Sequence, residues 1–247
     1  MKAGDLDGDG DLDLAATSRD DYDAGPGNVF VFKNKGDGTF AAAQGVPTGT
    51  GPVSLTVGDL DGDGDLDLAT VNIGYDGYYS SVPGSVSVVK NNGNGTFAAP
   101  QNFAEGDSLS SIASGDLDGD GDLDLAATNS DSGTVLVFKN SGNGTFAPPQ
   151  NFAVEDASNS ITIGDLDGDG DLDLTTVNFD DNVSVLKNNG NGSFATAENF
   201  ATGDEPRTIT VGDLDGDGDL DLATANSGSY PTFIGTVSVL KNNSNGT

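Results

Sequence analysis

The chain has 247 residues, with 40 Asp or Glu against 9 Lys or Arg, for a formal net charge of −31. It contains no His, Cys or Trp, which excludes imidazole and thiolate catalysis, zinc and haem sites, and a disulfide framework. A surface this acidic repels phosphate backbones and anionic headgroups, so nucleic acid is not an expected partner, whereas divalent cations are.

At the N-terminus, Met1-Lys2-Ala3 leads straight into an acidic motif instead of a signal sequence, and no apolar run reaches the ~18 residues of a membrane span. The expectation is a soluble chain, processed or a fragment, without membrane insertion. The motif is the undecapeptide GDLDGDGDLDL, which occurs unchanged at Gly4–Leu14, Gly58–Leu68, Gly115–Leu125, Gly164–Leu174 and Gly212–Leu222. Its copies are spaced by 54, 57, 49 and 48 residues, the range of propeller blades, solenoid turns or arrays of small modules.

Each repeat unit reads as strands. An alternating run precedes the motif, as in Ser54–Val57 or Ser160–Ile163, and a second run follows it, as in Leu66–Asn72. A third run, such as Val183–Lys187, leads to an Asn/Gly turn and then to a segment opening with Phe40, Phe97, Phe146 or Phe194. Period-two alternation, β-branched residues and Gly/Asn punctuation predict strands, and no segment has a helical period. Four short antiparallel strands per ~50 residues match the blade of a β-propeller. The alternative is a linear string of β modules, but with 34% hydrophobic and 7% aromatic residues isolated modules would bury too little, which favours face-to-face stacking. The predicted class is therefore all-β, a single propeller-type repeat domain over 1–247, with units near 1–38, 39–95, 96–144, 145–192 and 193–247. The stretch from the Phe strand to the strand ahead of the motif occurs only four times, at Thr39–Gly58, Thr96–Gly115, Thr145–Gly164 and Ser193–Gly212. A five-unit ring is then incomplete unless further chain or a neighbouring chain supplies strands. Strand donation between copies would give self-association and a filament.

Acidic residues occupy positions 1, 3, 5, 7 and 9 of every loop. They are Asp5, Asp7, Asp9, Asp11 and Asp13; Asp59, Asp61, Asp63, Asp65 and Asp67; Asp116, Asp118, Asp120, Asp122 and Asp124; Asp165, Asp167, Asp169, Asp171 and Asp173; and Asp213, Asp215, Asp217, Asp219 and Asp221. Five carboxylates within nine residues repel one another unless a cation neutralises them. Calcium suits the pattern because it is hard, takes six to eight oxygens and tolerates irregular geometry, whereas magnesium demands a stricter octahedron. Glycine at position 6 permits the sharp turn that such a loop needs. The twelfth position holds Ala16, Thr70, Ala127, Thr176 or Thr224 instead of Glu, so the helix-loop-helix calcium motif is excluded and a hairpin loop completed by the ninth-position carboxylate is predicted. Up to five calcium ions follow, one per loop, which would change the formal charge from −31 to −21. An acidic solvated turn without an ion is the alternative. Lys33, Lys90, Lys139, Lys187 and Lys241 share one phase of the repeat, either offsetting nearby aspartates or simply ending a strand in solvent.

The Asp-rich loop between strands, followed by Val-Ser-Val-x-Lys-Asn-Asn-Gly-Asn-Gly-Thr-Phe, resembles the FG-GAP/VCBS repeats of integrin α-chain propellers and of many bacterial extracellular proteins. The resemblance covers essentially the whole chain. It implies a calcium-stabilised propeller, typically of seven blades, in adhesion, sugar recognition or an accessory domain of a secreted protein.

Loops between the second and third strands vary in length, and all five tyrosines lie in them: Tyr22, Tyr75, Tyr78, Tyr79 and Tyr230. Tyrosine suits stacking on glycans or anchoring a surface protein, although long loops also bury their own aromatics. Asn-x-Ser/Thr acceptors occur at Asn94, Asn143, Asn182, Asn191 and Asn245, four of them in a turn whose chemistry already accounts for Asn. The expected role is a non-catalytic calcium-binding propeller at the cell surface or outside the cell, for adhesion or as the scaffold of a fibre. A carbohydrate-binding, lectin-like accessory domain of a secreted enzyme is the alternative. Paired-carboxylate hydrolysis is disfavoured because Glu105, Glu155, Glu198 and Glu205, outside the loops, show no pairing pattern.

Overall fold

The computed structural model describes residues 1–18, 27–74, 83–106, 108–231, 233–243 and 246, without the side chains of residues 104 and 105. Among these residues every regular element is a β-strand, and the strands form five antiparallel sheets. The first comprises β1 (Lys2–Gly4), β2 (Asp13–Ser18), β3 (Asn28–Phe32) and β4 (Gln44–Pro47). The second comprises β5 (Pro52–Gly58), β6 (Asp67–Asn72), β7 (Gly84–Val89) and β8 (Gln101–Gly106). The third holds β9 (Leu109–Gly115), β10 (Asp124–Asn129), β11 (Thr134–Phe138) and β12 (Gln150–Ala153), and the fourth β13 (Ser160–Gly164), β14 (Asp173–Asn178), β15 (Asn182–Leu186) and β16 (Glu198–Ala201). The fifth has three strands, β17 (Pro206–Gly212), β18 (Asp221–Asn226) and β19 (Thr236–Leu240). Sequential strands are neighbours in every sheet, so each sheet is a meander.

The chain divides into two compact units, Met1–Ser114 with Asn140–Phe146, and Gly115–Lys139 with Ala147–Thr247. In the first unit β5 lies against β1 and β2, and Leu6, Val29, Val31, Val46, Leu55, Leu68 and Val89 form one buried cluster. In the second, β13 packs on β10, and β17 on β13 and β14, around Leu166, Val177, Val183, Val185, Ile209 and Leu222. Each core therefore joins residues of neighbouring sheets, as face-to-face stacking requires. Strands β6, β10 and β14 are buried at all six positions. Successive side chains of a strand point to opposite faces, so both faces of these strands are covered.

Polar residues on such strands need partners. Thr70 and Thr176 donate to Asn72 and Asn178 Oδ1, each at 3.1 Å. The same asparagines donate from Nδ2 to Ser87 and Ser184 Oγ at 2.8 and 2.7 Å. Outer strands differ: β12 and β16 are mostly exposed, with Phe152 set edge-on against Phe194 at 5.0 Å.

The acidic motif is the loop of the first hairpin in each sheet. Pairing of the two strands ends at Gly4 with Asp13, Gly58 with Asp67, Gly164 with Asp173 and Gly212 with Asp221. The ninth-position aspartate is thus already a strand residue, anchored by the sheet.

Candidate metal centres

The first loop shows how the backbone is turned. Gly8 and Gly10 have φ of 78° and 91°, a region that residues with a Cβ rarely adopt. Asp5 accepts the Gly8 N–H at 2.8 Å through Oδ1 and the Gly10 N–H at 2.9 Å through Oδ2, and Asp9 accepts the N–H of Asp11 at 2.9 Å. Asp13, with no exposed surface, accepts the Leu6 N–H at 3.1 Å and the Asn34 N–H at 2.7 Å. One buried carboxylate thereby ties the loop entry to the turn that follows β3. Asp67 repeats this with Leu60 and Asn91, Asp173 with Leu166 and Asn188, and Asp221 with Leu214 and Asn242.

Positions 1, 3 and 9 converge. Asp5, Asp7 and Asp13 each offer a carboxylate oxygen within 4.8 Å of the other two, as do Asp59, Asp61 and Asp67; Asp116, Asp118 and Asp124; Asp165, Asp167 and Asp173; and Asp213, Asp215 and Asp221. Positions 5 and 7 are not members of these groups. Asp9, Asp63, Asp120, Asp169 and Asp217 cap the loop, each accepting the N–H two residues on. At position 7, Asp11, Asp65 and Asp171 reach the turn after the third strand, where a Cβ on Gly36, Gly93 or Gly190 would lie 2.7, 2.2 or 2.5 Å from the carboxylate.

A test of fit comes from unpartnered atoms: Oδ1 of Asp7, Asp118 and Asp167 is buried without a hydrogen bond. Such an atom is costly unless something charged or polar meets it. Burial also pushes the carboxyls of Asp67 and Asp173 up to about 6, against the opposing effect of their backbone N–H bonds. Three converging carboxylates, the ninth-position one buried and the third-position one carrying an unpartnered buried oxygen in the first, third and fourth loops, are a donor set that fits calcium. When bound, the ion would supply the positive charge these groups lack.

The recurring lysines offset nearby aspartates, one of the two readings the sequence allowed. Together with the asparagine that follows each, they also join successive repeats, a role the sequence did not disclose. Lys33, Lys90, Lys139 and Lys241 pair through Nζ with Asp7, Asp61, Asp118 and Asp215 at 3.3, 3.2, 3.3 and 3.0 Å. Proximity of Lys241 holds the exposed Asp215 carboxyl low, and Asp215 raises Lys241 in turn. The ammonium groups of Lys33, Lys90 and Lys139 also donate to the carbonyls of Asn94, Asn143 and Asn191 in the turn of the following repeat. Beside them, Asn91 Nδ2 donates to Leu6 O at 2.9 Å and Leu66 O at 3.0 Å. Asn140 donates likewise to Leu60 O, Asn188 to Leu117 O and Leu172 O, and Asn242 to Leu166 O. The Asn/Gly turn of one repeat is seated on the acidic loop of the repeat before it. The signal was the Lys-Asn pair at 33–34, 90–91, 139–140, 187–188 and 241–242.

Tyr22, Tyr75, Tyr78 and Tyr79 lie outside the described residues. Tyr230 is 82% exposed and stands edge-on to Phe233 at 6.0 Å. In the glycosylation-like turns, Asn94 Oδ1 accepts from the Thr96 N–H and hydroxyl at 3.0 and 2.6 Å, and Asn143 and Asn191 accept from Thr145 and Ser193 N–H. Turn formation thus employs these side chains.

Repeated antiparallel meanders, each with an acidic hairpin loop that gathers three carboxylates, define an all-β repeat protein with candidate metal centres. The FG-GAP-like repeat matches residues 5–70, 74–127, 116–176 and 165–224, and the chain belongs to that family. No curated protein matches its sequence. Among solved structures, it is similar to a functionally unknown protein from Desulfotomaculum acetoxidans (TM-score 0.60, 18% identity, 93% of this chain and 65% of that one). It is also similar to the exotype rhamnogalacturonan lyase YesX (0.59, 19%, 98% and 47%) and to the V. cholerae biofilm matrix protein Bap1 (0.52, 19%, 96% and 36%). The chain therefore spans less than two thirds of each, and the likeness is one of fold. No helix among the described residues is long and apolar enough to cross a membrane.

Proposed function

We propose that this chain is a non-catalytic, calcium-binding β-propeller that acts outside the cell or at its surface in adhesion or scaffolding. The observation that carries the reading is the recurrence, five times, of three converging carboxylates at the tip of a hairpin. Asp5, Asp7 and Asp13 and their counterparts would hold the ion, and the sheets would present it as a structural staple. An unfolded chain cannot hold these carboxylates together, so binding energy becomes folding energy. The first-, third- and ninth-position aspartates are engaged in this way as ligands, which supports the non-catalytic reading.

Meander sheets that share a core with a neighbouring sheet within each unit support the blade arrangement. On the fifth sheet, β19 is the last strand, with Val237 and Val239 70% and 53% exposed. A further strand there, from another copy or from additional chain, would bring this sheet to the four-stranded pattern of the others, and addition from another copy would yield a fibre. A lectin-like role has one observation in its favour, the exposed Tyr230–Phe233 pair, which offers a sugar an aromatic face.

Calcium titration of the chelator-stripped chain, followed by its melting temperature, tests the main reading. A marked rise with calcium is expected, and an unchanged melt rejects it. Glycan-array binding that is lost on replacing Tyr230 and Phe233 by Ala would move the assignment to the lectin-like role.

A further inference from the structure

The lysine that ends the third strand occupies an unusual place. Its Nζ meets only one oxygen, Oδ2, of the third-position aspartate, while Oδ1 of Asp7 and Asp118 stays buried and unpartnered. One positive charge is thus set against three carboxylates, and compensation is partial. A second contact fixes the ammonium, the carbonyl of Asn94, Asn143 or Asn191 in the next repeat. Room for it is built into that repeat as well. A Cβ on Gly95 would lie 2.2 Å from Lys33 Nζ, and a Cβ on Gly144 or Gly192 would lie 2.6 Å from Cε of Lys90 or Lys139.

From this geometry we propose that Lys33, Lys90 and Lys139 are resident counter-cations of the acidic loops, stabilising the metal-free joint between repeats while lowering the loops' affinity for a divalent ion. The inference rests on the calcium reading above. Two effects of opposite sign follow from one charge. Without metal, the ammonium relieves repulsion among the clustered carboxylates and holds the next turn in place. With metal, the same charge beside the third-position carboxylate opposes the incoming cation. A loop so equipped folds before it is loaded and releases its ion more readily than its aspartates alone would allow.

The test replaces all three lysines by glutamine (Lys33→Gln, Lys90→Gln, Lys139→Gln), whose amide can still donate to a carbonyl but carries no charge. Calcium affinity is measured by calorimetry at fixed ionic strength, and the metal-free melting temperature by circular dichroism. Tighter calcium binding, by about twofold to fivefold at the altered loops, together with a lower metal-free melting temperature is expected. The triple arginine variant should keep the parent affinity. A lower melting temperature with unchanged affinity would reduce the lysines to joint residues and overturn the proposal, as would weaker binding, the mark of a positioning role. If the triple variant fails to fold without metal, Lys90→Met, prepared with calcium and titrated with a competing chelator, gives the same decision. Failure of the parent chain to bind calcium removes both the site reading and this proposal, whereas parent binding with unaltered variant affinity removes only the latter.

Discussion

The second and fifth acidic loops have the same eleven residues, and their internal geometry is nearly the same. Asp59 holds the Gly62 and Gly64 N–H at 2.8 and 3.0 Å, and Asp213 holds those of Gly216 and Gly218 at 2.6 and 3.1 Å. Yet Leu60 is 1% exposed and Leu214 52%, and the Asp61–Lys90 side chains are 14% and 28% exposed against 27% and 65% for Asp215–Lys241. Over the second loop sit the Asn140 amide, bonded to Leu60 O, and the Asn143 carbonyl, bonded to Lys90. No such turn covers Leu214 among the described residues. Loop shape and the Lys–Asp ion pair are therefore local to each repeat, whereas burial of the loop and of that pair is conferred by the next repeat.

Removal of divalent ions should have the largest effect. At calcium one hundred times its Kd, each filled site adds about 2.7 kcal/mol, so several sites together rival the ~5–15 kcal/mol of an ordinary domain. The melting temperature in excess chelator should drop steeply, as a calorimetric scan would show. Leu60→Ala should then cost about 2–5 kcal/mol in denaturant unfolding but Leu214→Ala less than about 0.5 kcal/mol. Equal costs would show that the covering turn contributes nothing to the second loop. Asn91→Ala, which leaves the carbonyls of Leu6 and Leu66 without their donor, should cost about 1–3 kcal/mol. Asn34 donates from Nδ2 to the exposed Leu12 O, and Asn34→Ala should cost less than Asn91→Ala in the same assay.

A smaller effect concerns pH. Burial raises Asp67 and Asp173 from 3.8 to about 6, so in the metal-free chain the fold favours their protonated forms. Their contribution to stability is complete below about pH 4 and is lost as pH rises through about 6. With saturating calcium the sign reverses, since ligation requires the carboxylate. Comparing the parent with Asp67→Asn across this window isolates the contribution: the variant should flatten the metal-free decline.

Much of this architecture can be read from the chain because it rests on local chemistry. Glycines at positions 4 and 6 fix the loop, period-two runs such as Ser160–Ile163 become β13, and the Asn-Gly-Thr turn forms through Asn94 and Thr96. Which aspartates converge was less accessible, since alternation alone treats positions 1, 3, 5, 7 and 9 alike. The hydrogen bonds of Asp9 and the reach of Asp11 toward Gly36 separate them only in three dimensions. The joint between repeats was the least accessible, because its partners stand far apart in sequence. Asn91 meets Leu6 across 85 residues, and Lys33 meets Asn94 across 61. Only the phase of the recurring Lys-Asn pair hinted at it.

Native mass spectrometry of the chelator-stripped chain, titrated with calcium, is the most direct check on the acidic loops. Stepwise uptake of five ions per chain, with the third-position and ninth-position aspartates required for each, is the expected result. A chain that takes up none while retaining its strand signal in circular dichroism would contradict calcium binding in these hairpins.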